Sequence, residues 1–146
     1  MFRFVSVVFT GDLIVSFNAG TTPNWEQVKS FFLNEAVIVL RTGANKMNVL
    51  SLQGFVDLFI HNIETYRFTE TGFKEPVVRC TVRTYGEIAS CVTLSEAHVP
   101  GDKRPPQQGV DAFHLIRQTD GWKIVSIVNE VVWPGRPGLE EFVPKE

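Results

Sequence analysis

Residues 109–132 read GVDAFHLIRQTDGWKIVSIVNEVV, and this stretch decides the architecture. Gln118-Thr119-Asp120-Gly121 supplies turn chemistry at its centre, because glycine takes a positive φ without strain and aspartate bonds to nearby backbone. On both sides, β-branched and apolar residues are interrupted by polar ones at period two, the mark of pleated, half-buried strands. A hairpin this long has an apolar face to bury, and the rest of the chain must supply what covers it.

Upstream, Val77 to Thr84 and Glu87 to Val99 read as two further strands turning near Tyr85-Gly86. Pro76 opens the first of them rather than interrupting it, and Tyr66 to Lys74 is expected to begin the sheet. The loop PGDKRPPQQG, residues 100–109, leads into the hairpin. Before the sheet, Ser51 caps an amphipathic helix, with Leu52, Phe55, Val56, Phe59, Ile60 and Ile63 on one face and a solvated His61 opposite. Ala36 to Leu40 is a strand, bounded by Glu35 and Arg41, and Thr42 to Asn48 is expected to be loop. Thr22 or Asn24 caps a shorter helix that carries Trp25, Val28, Phe31 and Phe32 on one side, with Glu26 in its first turn. The first twenty residues read as a helix ending at Asn18-Ala19-Gly20 rather than a secretory leader, since Thr10-Gly11-Asp12 breaks the apolar run.

The chain is therefore expected to be one α+β domain over residues 1–133. Its helices gather on one face of a curved, mostly antiparallel sheet. A Pro/Gly-rich tail, residues 134–146, is expected to lie extended on the surface.

Composition narrows the function. The chain has 146 residues, 44% of them hydrophobic, and a net charge of −2. That is enough to bury a core, and it leaves no basic stripe for nucleic acid. Lys103-Arg104 lies among Gly101, Pro105 and Pro106 and reads as a solvated loop. No apolar run approaches the roughly 20 residues that span a bilayer, so a cytoplasmic protein without a membrane partner is expected. Cys80 and Cys91 fall on successive strands and can lie opposite one another, as buried thiols that behave like small apolar residues. No CxxC and no His/Cys ligand spacing is present, so no metal and no other cofactor is expected.

The segments FNAG, WEQVKSFFLNEAVIVLR, RTYGEIASCVTLSEAHV and GVDAFHLIRQTDGWKIVSIVNE together resemble the nuclear transport factor 2-like (NTF2-like) superfamily. The likeness is to bacterial members grouped with SnoaL-like polyketide cyclases and ketosteroid isomerase. It covers roughly residues 13 to 132, and GVDAFHL and GWKIVSI are its most specific parts. The resemblance implies a cone-shaped, cystatin-like barrel, with a bent sheet wrapped around the helices and a pocket at the open end. Its members differ in chemistry, so the site must be argued from residues. Matching the motifs puts the isomerase base on Leu40, its tyrosine on Leu13 and its acid on Phe113, all apolar here. The Arg-x-Asp pair of the related epoxide hydrolases is missing, because Thr81 and Tyr85 follow Arg79 and Arg83. For a two-histidine dehydratase set, His98 and His114 are the strand histidines available.

Parity assigns the faces. If Phe113 lines the pocket, so do Asp111 and Leu115. Ile127, Asn129 and Val131 do so on the last strand, and Ala89, Cys91, Thr93, Ser95 and Ala97 on the strand before the loop. The expected ligand pocket is thus Leu40, Thr93, Ser95, Phe113, Leu115, Ile127 and Asn129. Asp111 is the catalytic candidate, a carboxylate whose pKa an apolar cone would raise. A strand-start aspartate bonded to backbone amides is its alternative role. On the opposite parity, Ile88, Val92, Leu94, Ile116, Val125 and Val128 make the outer face apolar too. A second copy is the expected cover, giving a two-fold homodimer. Two functions remain open at this point. One is a protein that binds a small apolar molecule and acts on it by acid–base chemistry at Asp111. The other is a non-catalytic ligand carrier or interaction module.

Overall fold

The computed structural model describes residues 16–145. Its sheet carries six strands: β1 (Phe32–Gly43), β2 (Lys46–Ser51), β3 (Val77–Tyr85), β4 (Ile88–Ala97), β5 (Gln107–Gln118) and β6 (Gly121–Val131). They lie in the order β2-β1-β6-β5-β4-β3, and β1–β6 is the one parallel pair in an otherwise antiparallel sheet. Helices α1 (Trp25–Ser30) and α2 (Leu52–Thr65) accompany it. The fold is α+β, with a mixed, bent, open sheet.

Local chemistry sets the helix ends. Asn24 caps α1 by accepting the Gln27 N–H at 3.1 Å, and Ser51 caps α2 by accepting the Gly54 N–H at 3.0 Å. From α2, Leu52, Phe55, Val56 and Ile63 are buried. Phe55 meets Phe32 of β1 at 6.1 Å between ring centroids, joining helix to sheet, and packs on Phe59 of its own helix at 4.9 Å. The hairpin at residues 118–121 closes where expected, with Gly121 at φ +119.

Two bulges adjust which side chains face the helices. On β6, Leu115 pairs with Ile124 and His114 with Ser126, so Val125 is the extra residue and Ile124 and Ile127 both point inward. On β3, Val77 pairs with Ser95 and Arg79 with Leu94, so Val78 is extra. Both Val77 and Cys80 therefore share the inner face.

The structure corrects four sequence readings. Thr42 to Asn48 is not a loop: β1 runs to Gly43, and β2 pairs back on it from Lys46. The side chains of KMNVLS are half-buried or exposed, which hides the strand from a hydrophobicity argument. Tyr66 to Lys74 does not begin the sheet, since Phe68–Thr71 forms a helical turn, α3. There Gly72, at φ +76, lies so close to Phe17 and Ala19 that a Cβ would meet their backbone at 2.9 Å. Phe31 and Phe32 lie beyond α1, as its C-cap and the first residue of β1. The tail is not simply extended: Leu139–Phe142 makes a helical turn, α4, and Val143 is fully buried against Leu94 and Val110 on the outer face.

Up to residue 15, the helix expected at the N-terminus lies outside the described residues. At its expected end, Phe17 is instead bridged to Phe73 by two backbone hydrogen bonds of 2.9 and 3.0 Å. Among the described residues, no helix is long and apolar enough to cross a membrane.

Candidate functional site

Cross-strand register arranges the inner face in rows. Cys91, Phe113, Ile127 and Ile38 form one, running across β4, β5, β6 and β1. All four are buried in the main core. Two residues further along each of β4, β5 and β6 comes a polar row: Thr93, Asp111 and Asn129. Ser95 and Gly109 pair in the row beyond, and Glu75, just ahead of β3, reaches in beside them.

Within this cluster, Asn129 Nδ2 donates to Asp111 Oδ1 at 2.9 Å. The single Ser95 hydroxyl proton is offered to Glu75 Oε1 at 3.4 Å and to the Gly109 carbonyl at 3.5 Å, both long contacts. Thr93 Oγ1 is wholly buried and has no hydrogen-bond partner among the described residues.

The electrostatics follow from burial. Withdrawal from water pushes the Asp111 carboxyl up to about 6, against the pull of the Asn129 hydrogen bond. Glu75 keeps part of its chain at the surface while its carboxyl is withdrawn from water. Desolvation first and the neighbouring Asp111 charge second raise it to about 8, with Ser95 pulling the other way. Among the described residues, neither carboxyl has a salt-bridge partner. The arrangement is two neighbouring acids with separated affinities for a proton, the usual basis for distinct acid and base roles.

The expected pocket residues divide. Thr93, Ser95, Asp111 and Asn129 come together as described. Phe113, Leu115 and Ile127 belong to the apolar core, and Leu40, half-buried, packs against that core. Two of the positions matched to isomerase catalytic groups, Leu40 and Phe113, thus serve packing, and Leu13 lies outside the described residues. Asp111 accepts from a side-chain amide rather than from backbone amides. Of the strand histidines, His114 is exposed and sits 3.1 Å from Ser126 Oγ, while His98 lies past the end of β4 with Nδ1 buried and unpartnered among the described residues. The Cys80 and Cys91 sulfurs are 3.2 Å apart, buried and not joined in a disulfide. Their mutual hydrogen bond and burial push the Cys91 thiol up, so it stays protonated and is no nucleophile. Among the described residues, no group of three or more His, Cys, Asp or Glu is placed to hold a metal ion.

Glu75 is the member that sequence parity does not find. Counted back from Cys80, odd positions on β3 face outward, and the bulge at Val78 reverses this before Val77 and Glu75.

No protein-family model and no curated protein matches the chain. Solved structures do. A cystatin-like-fold NTF2-like protein from Novosphingobium aromaticivorans aligns with TM-score 0.62 at 13% identity, over 78% of this chain and 72% of that one. An NTF2-like protein of unknown function from Pseudomonas putida gives 0.60 at 11% identity, over 78% and 83%. A candidate dehydratase of the NTF2-like family from Streptomyces avermitilis gives 0.59 at 15%, over 75% and 83%. The chain has the NTF2-like, cystatin-like fold.

Proposed function

We propose that this chain of NTF2-like fold binds a small, largely apolar molecule on the inner face of its sheet, where Asp111 and Glu75 move a proton on it. The buried carboxyl pair carries this reading. At neutral pH, Asp111, at about 6, is mostly ionised and accepts a proton from one atom of the ligand. Glu75, at about 8, holds a proton and delivers it to another atom. Such a transfer needs no oxidant or reductant, and it suits isomerisation, dehydration or cyclisation. The likeness to the Streptomyces avermitilis candidate dehydratase supports the reading.

The test is deuterium incorporation at acidic C–H positions of small cyclic ketones and imines in D2O, followed by proton NMR. Exchange catalysed by the wild type and lost in both Asp111→Asn and Glu75→Gln supports it. Binding without exchange leaves the non-catalytic carrier.

The outer face favours a second copy as partner. Val37, Ile88 and Val128 are 44%, 58% and 50% exposed there. An open groove of about 550 Å³ runs past Tyr85, Ile88, His114, Ile116 and Val125. The chain's own tail seals only the Leu94–Val110 end of this face. Sedimentation should show a two-fold dimer that Val128→Asp dissociates; a monomeric wild type would refute it.

A further inference from the structure

The hydrogen-bonding inventory of the buried cluster is lopsided. Asn129 spends an N–H on Asp111 Oδ1, and Ser95 spends its one proton on Glu75 or on Gly109. Asp111 Oδ2 and Glu75 Oε2 have no hydrogen-bond partner among the described residues. Thr93 Oγ1 is unpartnered, wholly buried, and in register beside Asp111. What is left over is two carboxyl oxygens and one hydroxyl that can donate or accept, clustered where two rows of the inner face meet. Each carboxyl has one neutral donor and, among the described residues, no cation; withdrawn carboxylates without a counter-charge are costly, and these two repel once both are ionised. Cys91, which the Asp111 charge also reaches, is held as a neutral thiol.

We infer that the ligand presents a protonated nitrogen, ammonium or iminium, to Asp111, Glu75 and Thr93. This rests on the small-molecule reading of the same site and names its chemical class. A compact cationic N–H donor supplies both things the cluster lacks, positive charge and protons for the idle oxygens. A carboxylate or phosphate ligand would add to the repulsion.

Alkylammonium ions keep their proton in neutral solution, as lysine does. When an unreactive one docks, its charge takes the place of the proton that Glu75 would otherwise hand to a reacting ligand, and that proton is released to solvent. Binding therefore strengthens as pH rises through the range in which the pair would otherwise be protonated, and up to about one proton is released per ligand.

Calorimetry on the intact chain tests this with cyclohexylmethylamine, cyclohexylmethanol and cyclohexanecarboxylate, in buffers of different ionisation heat, from about pH 5 to about pH 8.5. The expected result is an amine at least about tenfold tighter than the alcohol at the upper end, with that preference shrinking toward the lower end and the carboxylate weakest. Glu75→Gln and Asp111→Asn should each weaken the amine about tenfold and leave the alcohol within about twofold. Thr93→Val, which keeps both acids, should weaken the amine by less. Alcohol and amine binding equally, without proton release, overturns this inference and leaves the small-molecule site standing. Failure of all three probes to bind overturns both.

Discussion

Two adjacent rows of one sheet face make opposite use of the same geometry. Cys91, Phe113 and Ile127 fill the helix-facing core, while Thr93, Asp111 and Asn129, two residues along each strand, place an acid, an amide and an idle hydroxyl in the same buried layer. The strands and register are shared, and Thr93 and Asp111 are as buried as the apolar row, with Asn129 half-buried beside them. What differs is whether a side chain finds what its buried atoms need. Apolar groups gain from leaving water and need only close packing, whereas Asp111 and Thr93 lose hydration that the protein replaces only in part. The first row stabilises the fold. The second costs stability, and such a cost is characteristic of sites held ready for a ligand.

Mutations should separate the rows. Phe113→Ala removes a buried ring from the centre of the apolar row, and an expected loss of about 3–5 kcal/mol should appear in urea denaturation with little dependence on pH. Asp111→Asn should act in the opposite sense and depend on pH. Both acids have folded pKa values above their ordinary ones, so the folded state holds protons that the unfolded chain has released. That stabilisation is complete below about pH 4. It is lost as pH rises through about 6 for Asp111 and about 8 for Glu75. The wild type should therefore weaken across this window. Removing the Asp111 charge should restore on the order of 1–3 kcal/mol near pH 8 and nothing near pH 4. The smallest effect is expected from Thr93→Val, which deletes an unpartnered hydroxyl at nearly constant volume. It should be neutral or stabilising by up to about 1 kcal/mol in the ligand-free protein. A loss of several kcal/mol would show that Thr93 Oγ1 has a structural partner.

The rows also show what could be read from sequence. Period-two alternation needs only local order, and it put Thr93, Ser95, Asp111 and Asn129 on the inner face because β4 and β5 keep their register throughout the polar end. The turn at Asp120-Gly121 was legible for the same local reason. Glu75 was not. It precedes its strand, and the bulge at Val78 inverts the parity that leads back to it, an event fixed by pairing with β4 rather than by the residues themselves. The one hint is an acidic residue directly before the proline that opens an inward-facing strand. Likewise β2 depends on its partner: Val39 pairs with Val49, although Val49 remains exposed. Val143 is buried by the outer face of the sheet, which its proline-rich surroundings do not announce.

The pair itself can be observed directly. Carboxyl-carbon NMR of the wild type, labelled at aspartate and glutamate, should show two carboxyls titrating in steps near 6 and near 8, assigned to the pair by their loss or shift in Asp111→Asn and Glu75→Gln. If Asp111 and Glu75 instead both titrate at about 4, where exposed carboxyls do, the inner face holds no proton-sharing pair and the proposed chemistry has no basis.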